Sequence, residues 1–135
     1  MYKNILVPIA SDHDPSSPKA IAAARLLANG DARITVLTVM EAVPEYVAQQ
    51  LPKGQLAHNA IEIAKGLRAE LEGQDDIVVE VVEGHSGRTI LEWAEEHGVD
   101  CIVMASHRPG LSDYFLGSTA ARVVRHATCA VHVMR

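Results

Sequence analysis

The residues best suited to chemistry in this chain lie between Cys101 and Thr119, in the run CIVMASHRPGLSDYFLGST. Cys101 to Met104 reads as a buried strand, turn-rich residues follow, and Gly117-Ser118 opens a last helix. A helix start leaves its first backbone N–H groups without intrahelical acceptors, and the helix dipole adds partial positive charge there. A strand that feeds such a start through a loop is an arrangement that holds phosphate. Gly117 lets the backbone approach closely because it has no Cβ. Ser118 offers a hydroxyl and an amide, although a serine there serves equally as a plain N-cap. Arg108 suits either a phosphate, through its fork of donors, or a salt bridge between subunits. His107 suits a phosphate or a bond that fixes the loop. Pro109 presets a turn and biases the residues before it away from helix. Gly110 is the expected positive-φ position. The ligand expected of this stretch is a nucleotide.

Other chemistries find little support. There is no G-x-S-x-G elbow that would make Ser118 an acyl nucleophile, and no Walker lysine follows the glycines. No pair of acids flanks the expected pocket, so no catalytic residue is assigned. Asp12, His13 and Asp14 cluster without metal-ligand spacing and read as a solvated loop. The two cysteines, Cys101 and Cys129, sit in apolar strand contexts and read as free thiols. A net charge of −5 with scattered Lys and Arg argues against nucleic acid as a partner. The run Ile5-Leu6-Val7 is too short for a signal peptide or a membrane span, so a cytoplasmic protein is expected.

The elements that must position these residues alternate along a chain of 135 residues, which suits one domain. Ile5 to Ile9 is a continuous apolar run, as in a central parallel strand. Ser17-Pro18 starts a helix with Ile21, Ala24, Leu27 and Ala28 on one side, and Asn29-Gly30 ends it. Ile34 to Val39 is the second strand. Glu41 to Gly54 shows no period and reads as a flap or contact surface. Leu56, Ala60, Ile63, Ala64, Leu67 and Leu71 make one helical stripe. Ile77 to Glu83 alternates like an edge strand. Gly84-His85-Ser86-Gly87 leads into a helix that ends at His97-Gly98, with Ile90, Leu91 and Ala94 inward; Trp93 falls near its stripe. Ser118 to His126 and Ala130 to Met134 are the last helix and strand. His132 interrupts the apolar run and marks a second edge.

This alternation predicts an α/β fold: an open five-stranded parallel sheet, order 3-2-1-4-5, with helices on both faces. Ligands in such sheets sit beyond the carboxyl ends of the strands where the order reverses. Those ends carry Pro8, Ile9 and Ala10 on the first strand and Met104, Ala105 and Ser106 on the fourth.

The N-terminal YKNILVPI, the ASHRP after the fourth strand and the terminal LGSTAARVVRHATCAVHVMR together resemble the universal stress protein family, over essentially the whole chain. The subgroup that carries ASHRP and binds ATP is the most similar, and a halophile member that regulates a compatible-solute transporter is similar in outline. The resemblance implies a Rossmann-like domain holding ATP or AMP, with Mg2+ left open. The base would lie against Pro8, Ile9, Ala10, Val39 and Met104. The phosphates would lie against Ala105 to Gly110 and Gly117, Ser118 and Thr119. Ala105 and Arg108 stand where the family pattern has glycines, one loop residue is absent, and Ala10 stands where the family has Asp. A homodimer through the last strand, extendable to a tetramer, and a protein or transporter partner are also implied. The function implied is a nucleotide-sensing stress-response regulator. The alternatives are a nucleotide-independent interaction protein and a weak ATPase; slow hydrolysis or autophosphorylation occurs in parts of the family.

Overall fold

The apolar runs of the chain collapse into one sheet with two buried faces. The computed structural model describes residues 1–11, 16–106 and 116–135. Five strands form the sheet: β1 (Tyr2–Pro8), β2 (Ala28–Glu41), β3 (Val78–Gly84), β4 (Cys101–Ala105) and β5 (Ala130–Met134). All pair in parallel, in the order β3-β2-β1-β4-β5. The helices between them are α1 (Ser17–Leu27), α2 (Glu45–Ala48), α3 (Gln55–Glu70), α4 (Ser86–Glu96) and α5 (Ser118–His126).

The middles of the central strands, Ile5 to Val7 of β1 and Cys101 to Met104 of β4, are unbroken apolar runs because both of their faces are covered. Ile5, Val7, Val36 and Val103 pack on one face with Ala20, Ile21 and Ala24 of α1 and with Leu67 and Leu71 at the end of α3. Leu6, Leu37 and Ile102 pack on the other with Ile90 and Ala94 of α4 and Ala120 and Val123 of α5. Each fully buried aliphatic side chain contributes about 1.5–3 kcal/mol. β3 alternates as its sequence suggests: Val79 and Val81 pack inward and Glu80 is exposed. β5 is the opposite edge, with His132 exposed. Trp93 packs against the second core and stacks on His97, with ring centroids 3.7 Å apart.

Three local expectations need correction. The segment after Glu41 contains a helical turn, because the Pro44 carbonyl accepts from the Val47 and Ala48 amides at 2.9 and 3.0 Å. Helix α1 starts one residue early, with Ser16 as N-cap. Asn29-Gly30 does not cap α1. Ala28 is already extended, β2 begins there, and a register shift between Tyr2 and Asn4 absorbs the extra length.

Both cysteines are free thiols. Cys101 packs with the α1/α3 side and Cys129 with the α4/α5 side, so the sheet separates them. Burial, helped by the neighbouring thiol and Asp100, pushes the Cys101 thiol up to about 11. Burial also raises Cys129.

Candidate functional site

At the carboxyl end of the sheet, β2 and β4 flank β1, and the chain leaves them in opposite directions around the sheet. A cleft of about 200 Å³ opens there. Its lining includes Pro8, Ile9 and Ala10 after β1, Val39 and Glu41 of β2, Met104, Ala105 and Ser106 at the end of β4, and Gly117, Ser118 and Thr119 at the start of α5. The structure thus brings together every described residue of the expected site. His107, Arg108, Pro109 and Gly110 lie outside the described residues, as do Asp12, His13, Asp14 and Asp113.

Backbone bonds hold this end in place. The Ile9 amide donates to the Leu37 carbonyl at 2.9 Å and extends the β1–β2 pairing past Pro8. Ser106, 1% exposed, donates its amide to the Met134 carbonyl at 2.7 Å. Its own carbonyl accepts from the Gly117 amide, also at 2.7 Å. Ser106 and Gly117, with ten residues between them in the sequence, are therefore clamped together, and the start of α5 is fixed beside β4.

That clamp corrects one detail. The Gly117 amide is committed to Ser106, so it is not a donor for a ligand. Gly117 is the N-cap, and its φ of −59° and ψ of 154° are open to any residue. Ser118 is the first helical residue rather than the cap. The helical ladder begins with the Ala121 amide on the Gly117 carbonyl at 2.8 Å. The amides of Ser118, Thr119 and Ala120 precede it and have no intrahelical acceptor. Ser118 is exposed and Thr119 half-buried. These amides, with two hydroxyls, form a donor cluster at the positive end of α5.

Four features of the cleft escaped sequence reasoning. Ser16 and Ser17 reach it from the start of α1, Ser86 from the start of α4, and Glu41 from the end of β2. Glu41 is the one ionisable side chain among the described lining residues. Its Oε1 accepts from the Ser86 hydroxyl and, at 3.4 Å, from the Ser86 amide. The only sequence signal was position: Glu41 directly follows the apolar run of β2, and Ser86 directly follows Gly84-His85. The cleft wall is otherwise apolar, from Ile9, Leu37, Val39, Ile90 and Met104. Among the described residues no three His, Cys, Asp or Glu side chains converge to hold a metal.

An open parallel sheet covered on both faces, with its cleft where the strand order reverses, defines a doubly wound α/β domain. The universal stress protein family model matches residues 1–135, and the chain belongs to that family. It is 30% identical to universal stress protein G of Escherichia coli O157:H7 over 142 residues, covering all of both chains. Among solved structures it resembles the universal stress protein UspA of Lactobacillus plantarum: TM-score 0.73, 28% identity, covering 99% of this chain and 98% of that one. It also shares the fold of a universal stress protein solved in complex with cAMP: TM-score 0.69, 24% identity, covering 99% and 97% of the two chains. No helix among the described residues is long and apolar enough to cross a membrane.

Proposed function

We propose that this chain binds an adenine nucleotide, ATP or AMP, in the cleft and acts as a regulatory module in the stress response. The observation that carries the reading is that one cleft joins the first turn of α5 to the ends of β1, β2 and β4. The Ser118 and Thr119 amides and hydroxyls take the anionic tail. Pro8, Ile9, Ala10, Val39 and Met104 form an apolar seat for the base. The ASHRP run at 105–109, which resembles that of the ATP-binding subgroup, supports this reading. The neighbour solved with cAMP adds that nucleotide to those worth testing. The protein works in the cytoplasm as a homodimer paired through β5, whose exposed side is an unpaired strand edge.

Unfolding in the presence of nucleotide tests the reading. Ligand at a hundredfold excess over Kd should add about 2.7 kcal/mol to the stability. Gly117→Val should abolish that gain without unfolding the chain, since valine accepts the Gly117 dihedrals. Absence of any gain with ATP, AMP and cAMP would contradict it. The competing reading is a nucleotide-independent interaction protein, favoured by Ala10 and Ala105 in place of the family's Asp and Gly. It expects oligomer and partner binding to be unchanged when nucleotide is stripped.

A further inference from the structure

We infer that Arg122 is an arm that reads the length of the ligand's phosphate chain, so that the cleft prefers a nucleoside triphosphate to a monophosphate. This rests on the nucleotide reading above and names the ligand class of the same site. Ser118 lines the cleft as the first residue of α5, and Arg122 follows it by four residues. Residues four apart lie on one face of a helix. Helical side chains lean back toward the N-terminus, so a long one covers the turn before its own Cα. For Arg122 that turn is the one that carries Ser118. The rise between the two is about 6 Å, within the reach of an extended arginine.

Packing against α4 sets the same direction. Gly87, buried, is the second residue of α4. A Cβ built on it would lie 2.8 Å from the Arg122 Cδ, 3.3 Å from its Cγ and 3.2 Å from its Cβ. The stem of Arg122 therefore runs across bare backbone in the first turn of α4, beside Ser86, which lines the cleft. Ile90 and Ala94 of α4 and Ala120 and Val123 of α5 share one core beneath this crossing and fix the two helices together. Arg122 itself is exposed, and among the described residues it has no hydrogen-bond or ion-pair partner. The positive end of α5 and the guanidinium thus stand together without a counter-ion. One phosphate on the Ser118 and Thr119 amides fills that donor cluster. The base seat lies on the strand ends inside the cleft, so any further phosphates point outward, across the exposed Ser118 toward Arg122. The guanidinium fork matches phosphate oxygens in pairs. An arginine that only covered the helix crossing with its stem would not discriminate among ligands.

Calorimetric titration of the intact protein with ATP and with AMP tests this, with a chelator present so that no divalent cation masks the phosphates. The wild type should bind ATP about tenfold more tightly than AMP, the scale of one charge-assisted contact. Arg122→Gln removes the charge and the fork. It should bring the two affinities to within about twofold of each other by weakening ATP, with AMP binding unchanged. Gly87→Ala keeps the arginine and moves its stem, because the new Cβ takes the place where Cδ lies. It should shrink the same preference, again through ATP alone, and alanine suits the helix better than glycine, so the fold is kept. A preference for ATP undiminished in either variant overturns the inference. So does a wild type that binds the two nucleotides equally. Both results leave nucleotide binding standing. A wild type that binds neither removes the nucleotide reading and this inference together.

Discussion

Replacing Gly84 by Ala should cost the domain about 2–6 kcal/mol. Gly84 ends β3 with φ +157°, and a Cβ built there would lie 2.3 Å from the Thr89 Oγ1 and 3.4 Å from its Cβ. Two costs combine. A side chain held at positive φ carries about 1–3 kcal/mol of backbone strain. Forcing extra volume into a packed site costs about 1–3 kcal/mol more. Urea unfolding followed through Trp93, the single tryptophan and itself on α4, reads the sum directly. Thr89→Ala divides it. Alone, it should change stability by less than about 0.5 kcal/mol, because the loss of a half-buried hydroxyl and methyl is offset by better helix propensity. Combined with Gly84→Ala it should recover the steric part and leave the strain, a coupling of about 1–2 kcal/mol in the cycle. The lesion also lies beneath the cleft: the Gly84 carbonyl accepts the Ala42 amide, and Ser86 follows two residues later. A Gly84→Ala protein within 0.5 kcal/mol of wild type, or a cycle with no coupling, would refute this packing argument.

Other outcomes follow from single observations. The hydroxyls of Thr35 and Thr38 are fully buried without a hydrogen-bond partner, so Thr38→Val should be neutral or stabilise by up to about 1 kcal/mol in the same urea assay. The folded-state pKa of Cys101 is raised above its usual value of 9.0 to about 11. Its unfolded thiol therefore ionises first, and its contribution is complete below pH 9 and falls as pH rises toward 11. On the order of 2–3 kcal/mol is lost across that window, and Cys101→Ala should flatten the profile. Arg25 grips the Asp76 carboxylate at 2.6 and 2.9 Å, and that partner lowers the Asp76 pKa. The contribution is present above the usual carboxylate range and lost in acid, but the pair is exposed, and Asp76→Asn should change the melting temperature little. His132→Lys, at the exposed edge of β5, should shift the proposed dimer toward monomer in sedimentation by placing like charges across the pairing axis.

The fold was legible because both periods in the sequence were clean. Ile5-Leu6-Val7 and Cys101 to Met104 are unbroken apolar runs, and in a parallel sheet such runs have to be covered on both faces. Leu56 to Leu71 keeps helical spacing, and its stripe is the side that packs. The ends of elements were harder to read. Asn29-Gly30 has the composition of a helix stop, yet pairing with β1 draws it into a strand; a tertiary contact outweighed a local signal. Pro44 disguised the turn of α2 because proline is read as a breaker before it is read as a helix start. The cleft was legible where topology and residue type agreed, at Pro8 to Ala10 and at Gly117 to Thr119. Glu41 and Ser86 were not, because their meeting depends on β2 and β3 pairing as neighbours, which no local spacing encodes. The separation of Cys101 from Cys129 by the sheet follows only once β4 and β5 are in register.

The most direct measurement is the position of amide chemical-shift changes when AMP or ATP is added to the isotope-labelled protein. The account predicts the largest saturable changes at Ser118 and Thr119, with smaller ones at Ile9, Ala10 and Val39, and none along the far ends of the strands near Asp100 and Cys129. Changes clustered away from the start of α5, or no saturable change with either nucleotide, would contradict it.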